Sequence, residues 1–248
     1  MTISILICHF AEPVGLPAWP YNVRQSLMVF IKRAFFALAA MLFTIQVAPT
    51  ASPPAIAAEK MPPFVTVVSP IFGQLVAFSQ PSDFVIGLEN VNGSNYIREA
   101  IPSGETVEDW TQMVTVTGFK QLALQPQAEP VAITSAIANG YKNFCPDLFA
   151  VMPVPPPDVD GFKSFAAVVG CGTVTGNGSP RREETLIIAI EGESDYYTIQ
   201  WATRGPASDK PPAFDKAAWE KRRADLSPIR LCRIVPGESA PYPSCVRR

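Results

Sequence analysis

Few side chains in this sequence suit familiar chemistry. The one histidine, His9, lies in the first ten of 248 residues, and four of the five cysteines, Cys145, Cys171, Cys232 and Cys245, lie in the second half. After residue 57 there is no histidine, so Ser-His-Asp triads, Cys-His nucleophiles and His-ligated zinc are excluded from that stretch. None of its lysines has a serine three positions before it, and Cys-x-x-Cys does not occur. Gly170-Cys-Gly172 lacks the third glycine of a dinucleotide fingerprint, because Thr175 stands where it is required and Gly176 falls one place late. Asp158-Val-Asp160-Gly161 matches an EF-hand fragment, but Pro156 and Ala167 occupy positions that must ligate calcium. No cofactor, metal or catalytic residue is therefore assigned.

Acids remain, in three clusters: Glu105/Glu108/Asp109, Glu183/Glu184 and Glu191/Glu193/Asp195. A glycosidase-type pair needs two carboxyls about 5 to 9.5 Å apart across a cleft. All three clusters fall in expected turns or helix starts, where acids cap or are solvated. A carboxylate-pair hydrolase is thus an alternative and not the first reading. Lys221-Arg222-Arg223 is expected on a solvated helix face, and Trp110, Trp201 and Trp219 in the core.

Upstream, Lys32 and Arg33 precede the uncharged run Ala34–Ile45. Twelve such residues span about 18 Å as a helix, short of a bilayer core of roughly 30 Å. The run passes into a small-residue and proline segment in which Ala55-Ile56-Ala57 fits the signal-peptidase rule, with cleavage between Ala57 and Ala58. Met28, four residues before Lys32, is the expected start; residues 1–27 are then upstream sequence, or else an unusually long n-region. Without residues 1–57, which hold three basic and one acidic side chain, 17 basic and 21 acidic side chains remain, a net charge of −4. No basic footprint for nucleic acid exists, and no membrane span is expected in the mature chain. An even number of cysteines in an exported chain favours two disulfides. Four cysteines allow three connectivities; Cys145–Cys171 with Cys232–Cys245 is favoured, since the first two end consecutive elements and the second two bracket the turn at Pro236-Gly237.

The elements that position these residues follow from periodicity. With 48% hydrophobic and 17% charged residues the chain can bury a core, and 26 prolines point to stiff connectors. Residues 61–69 read as a lead-in, and strands are expected at 71–78, 84–88, 96–101 and 112–119, with an Asn92-Gly93 hairpin. Thr106 and Asp109 have capping-box spacing, predicting a short helical turn through Trp110. Ile133, Ile137, Gly140, Tyr141 and Phe144 mark a helical face after Pro130. Pro153–Pro157 reads as an extended connector, followed by strands at 162–170, 185–191 and 196–203 and a helix at 213–226. The fold class is therefore α+β: an antiparallel sheet of about six to seven strands with two main helices, forming one mature domain over residues 58–248.

This element order, with its Trp-bearing helical turn before a strand and its final helix, resembles the PsbP/Mog1-like domains. Gly104–Phe119, GETVEDWTQMVTVTGF, is similar to a segment of uncharacterised exported bacterial proteins. The resemblance carries no catalytic motif and implies a small envelope accessory domain. The expectation is an exported, non-catalytic accessory or binding protein of the bacterial envelope, periplasmic or secreted, whose partner is an envelope protein or small ligand. A secreted inhibitor presenting the loop 151–160 is a further alternative.

Overall fold

The computed structural model describes residues 62–175 and 179–246. Met28, the leader with Ala57 and Ala58, and Gly176 lie outside the described residues.

Among the described residues, ten strands and three α-helices follow one another. The strands are β1 (Phe64–Ile71), β2 (Gln74–Pro81), β3 (Phe84–Asn92), β4 (Asn95–Pro102), β5 (Gln112–Phe119), β6 (Phe149–Val154), β7 (Ser164–Val174), β8 (Arg181–Glu191), β9 (Tyr196–Pro206) and β10 (Arg230–Arg233). The helices are α1 (Pro130–Phe144), α2 (Lys216–Asp225) and the short α3 (Pro243–Val246). Seven strands form one sheet in the order β3-β4-β5-β9-β8-β7-β6, every neighbouring pair antiparallel. The α+β class with an antiparallel sheet and two main helices is the architecture observed.

Its topology is two meanders. β3, β4 and β5 run outward to inward, α1 then carries the chain across to the far edge, and β6 to β9 meander back until β9 pairs with β5. Asn92 pairs with Asn95, and Gly93 supplies the positive φ of 58° that the tight β3–β4 turn demands.

A second sheet, β1-β2-β10, covers the inner face of the large one. Between them lie Ile71, Val76, Phe78 and Leu231 from the small sheet and Val114, Val116, Leu186, Ile188, Tyr197, Ile199 and Trp201 from the large. The sheets approach so closely at Gly118 that a Cβ there would stand 2.4 Å from Ile71 Cγ2. Only glycine fits. Trp219 and Leu226 of the α2 region extend this core, while Asp215 caps α2 by accepting from the Ala218 amide (3.1 Å).

Several expectations are corrected. Residues 61–69 are largely strand β1 and not a lead-in, and the apolar run 71–78 is broken by a turn at Phe72-Gly73, where Phe72 has φ 52°. A bulky residue in left-handed backbone is a turn that residue types do not announce. Thr106 Oγ1 does accept from the Asp109 amide, yet no helix follows; the segment is a loop, closed because Glu105 accepts from both the amide and hydroxyl of Thr111 (2.7 Å each). Pro153 belongs to strand β6, which tolerates proline because it is an edge. On α1 the inward positions include Pro130, Thr134 and Tyr141, with Cys145 at its end, whereas Phe144 turns outward. The tail contributes β10 to the small sheet.

Disulfides join Cys145 to Cys171 and Cys232 to Cys245, with Cα separations of 6.0 and 5.7 Å. The first fixes the end of α1 to β7 across a separation of 26 residues; the second fixes the tail to β10 across 13. Loop-closure entropy assigns each roughly 3 kcal/mol, slightly more for the longer loop. Because the Cys145–Cys171 loop is the longer and α1 is the crossover between the two meanders, replacing Cys145 with Ser should lower the melting temperature by about 10 °C, and replacing Cys245 by a few degrees less. Differential scanning calorimetry of the two variants reads this directly; equal shifts, or the reverse order, would contradict the role given to α1.

Candidate functional site

The outer face of the large sheet holds most of its buried polar groups, and strand register explains their arrangement. Side chains alternate along a strand, so those on one face form rows across it. One row reads Glu99, Thr115, Gln200, Ile187; the next reads Ile97, Thr117, Thr198, Ala189. A third runs Met113, Ala202, Thr185, Val169, and a fourth begins Arg204, Glu183, Cys171. Glu99, Thr115, Thr117, Thr198 and Gln200 are all buried. Thr117 Oγ1 lies 2.6 Å from Thr198 Oγ1, and Gln200 Nε2 donates to Thr198 Oγ1 at 3.2 Å. These are neutral donors and acceptors, apart from Glu99. Buried and bonded to one another, Thr117, Thr198 and Gln200 tie β5 to β9 across the sheet.

Beside this strip, α1 packs on β7 and β8 and closes a buried corner. The Tyr141 hydroxyl donates to Glu183 Oε1 at 3.1 Å and lies 2.7 Å from Thr185 Oγ1. Arg204 Nε donates to Glu183 Oε2 at 3.0 Å, and its guanidinium stacks 3.7 Å from the centroid of Trp110. Glu183 is 2% exposed. Burial pushes its carboxyl above the usual carboxylate value, against the opposing pull of Arg204. Burial likewise holds the Tyr141 hydroxyl well above its ordinary value, with the Glu183 charge adding to the shift. The tyrosine is therefore a fixed hydroxyl that helps satisfy a buried ion pair.

The expected solvation of the acidic clusters is thus corrected for several members. Glu183 lies in β8, because the strand begins four residues earlier than the apolar pattern starting at Thr185. Glu184 pairs with Arg182 (3.1 Å) and accepts from Trp219 Nε1 (3.3 Å). Asp195 is buried in the β8–β9 turn, where it accepts from the amides of Gly73 (2.9 Å) and Gln121 (2.7 Å), pinning three chain segments together. Glu191 pairs with Lys163, Glu193 with Arg233 and Asp109 with Arg181. Distance in sequence hid these partners: Asp195 and Gly73 are 122 residues apart.

Other expected features fall as follows. Trp110, Trp201 and Trp219 are buried. Lys221 is exposed and pairs with Asp225, but Arg222 departs from a solvated face by stacking 4.5 Å from the Trp219 ring centroid. In the 151–160 segment Val154, Pro157 and Val159 are buried, and Ser164 Oγ donates to the Pro157 carbonyl (2.9 Å), so it is not a free protruding loop. Among the described residues no group of three or more His, Cys, Asp or Glu side chains is placed to hold a metal ion, and no helix is long and apolar enough to cross a membrane.

No protein-family model and no curated protein matches this sequence. Among solved structures the chain is similar to LpqN of Mycobacterium tuberculosis, described as involved in cell envelope biogenesis. The identity is 10%, the match covers 68% of this chain and 91% of that one, and the TM-score is 0.33.

The buried corner makes a pH-dependent prediction. Since the folded-state pKa of Glu183 lies above its ordinary 4.5, its contribution to stability is fully present below about pH 4.5 and is lost as pH rises through the folded value. Glu183→Gln keeps the shape and removes the titration. The stability of the wild type relative to E183Q should therefore decline as pH rises above about 4.5, read from urea midpoints. A difference that stays flat or grows with pH would contradict this electrostatic account.

Proposed function

We propose that this chain is an exported, non-catalytic accessory or binding protein of the bacterial cell envelope, whose partner is an envelope protein or small ligand. The observation that carries the non-catalytic part is the commitment of the acids. Glu183 is sealed beneath α1 in an ion pair, Glu105 closes its own loop, and Asp195 holds two backbone amides. A general acid must instead reach a substrate proton. Two disulfides in a domain of this size support an oxidising compartment, in accord with the leader-like order of Lys32-Arg33, a short apolar run and Ala-Ile-Ala. Membership of the PsbP/Mog1-like group belongs to the same proposal; it rests on the element order read from the sequence, in which the helical turn expected before β5 is a loop in the structure.

The reading has two experimental consequences. Protein recovered from the periplasmic or culture fraction should begin at Ala58, within a residue or two, by N-terminal sequencing; full-length chain held in the inner membrane would overturn export. A triple variant, Glu105→Gln, Glu191→Gln and Glu193→Gln, should rescue a deletion strain as well as the wild type does. Failure to rescue by a variant that retains its melting temperature would favour the carboxylate-pair hydrolase.

A further inference from the structure

The two sheets end in four edge strands, and three of them carry a residue that hinders further pairing. β1 contains Pro70, β6 contains Pro153, and β10 contains Arg230 and Arg233. Proline removes a backbone donor and edge charges resist a neighbour, both common ways of blunting a sheet edge. β3, FVIGLENVN, has neither proline nor a basic residue; the bulge between Ile86 and Leu88 is its one interruption, with regular pairing to β4 on either side. Among the described residues it pairs with β4 alone, and its sequence runs nine residues, an edge about 30 Å long. Val85, Ile86, Leu88 and Val91 are 47%, 56%, 39% and 60% exposed, a concentration of large apolar side chains on one strand. Its one charge, Glu89, accepts from the Tyr96 hydroxyl of the neighbouring strand at 2.7 Å.

We propose that β3 is the pairing edge for a second copy of this chain, joined antiparallel about a two-fold axis so that one sheet runs through both copies. Three arguments select the second copy as occupant. Antiparallel addition of a strand to itself is self-complementary by symmetry, since each unpaired amide and carbonyl meets its own counterpart. The edge contains no basic residue and one acid already engaged within its own chain, so it has no charge pattern addressed to a different partner. An edge of this length buries on the order of 1,000 Å² or less in total, which suits a reversible dimer at the low end of specific interfaces. The bulge between Ile86 and Leu88 places Val85 and Leu88 on the outer face and Ile86 and Val91 on the inner, so apolar contacts flank the joint on both sides.

The test is sedimentation velocity of the mature chain, residues 58–248, from about 5 to 500 µM, the range in which micromolar association is read. It is repeated with Ile86→Lys plus Val91→Lys, positions whose exposure leaves the fold intact; an unchanged melting temperature checks this. The expected result is a monomer–dimer equilibrium in the wild type, weakened at least about tenfold in the double variant. Amide exchange in β3 should also slow as concentration rises. A monomer throughout, a dimer indifferent to both lysines, or a monomer whose β3 instead takes up an extended segment of another protein would each overturn the proposal.

Discussion

The placement of α1 is the constraint on which the rest of the molecule depends. Two meanders must become one sheet, and the connection between β5 and β6 has to cross the outer face to reach the far edge. That crossing is held by Tyr141 inserted between Glu183 and Thr185, and by the Cys145–Cys171 bridge one turn later. With α1 fixed there, β6 to β9 return in order and β9 meets β5 along its whole length, from Gln112↔Thr203 to Phe119↔Tyr196. The inner face then requires its own cover, and the β1–β2–β10 sheet supplies it.

Buried polarity follows from the same geometry. A helix packed over β7 and β8 puts Glu183 out of reach of water, so its charge needs Arg204 beside it and hydroxyls around it. Replacing such a pair with apolar residues often stabilises a protein, but removing one partner alone is costly. The corner therefore serves position more than strength: it fixes where α1 lies. Stacking of Arg204 on Trp110 extends that fixation to the loop 103–111, which Glu105 closes on Thr111. In this way most of the acids that suggested chemistry in the sequence become parts of the scaffold.

Legibility in the sequence was uneven for physical reasons. Asn92-Gly93, Gln112–Phe119 and the start of α1 at Pro130 were readable because turn chemistry, β-branched density and first-turn proline act locally. The Phe72 turn was not readable, since a left-handed phenylalanine is imposed by the two strands it joins. β6 was masked by Pro153, a residue that argues against a strand everywhere except at an edge. The second sheet was missed because β1 and β10 come from opposite ends of the described chain and meet only on β2. At the site, Thr117, Thr198 and Gln200 carry no sequence motif; only the register of β5 against β9 brings them together.

Crossover helix and tail are each secured by a bridge, and the proposed export would carry both to a compartment that keeps them oxidised. The most direct test is non-reducing peptide mapping of protein taken from the native envelope, with free thiols blocked at lysis. The account predicts linked peptides Cys145–Cys171 and Cys232–Cys245, with none of the four cysteines alkylated. Blocked, unpaired thiols at these positions, or a Cys145–Cys245 or Cys171–Cys232 pair, would contradict it.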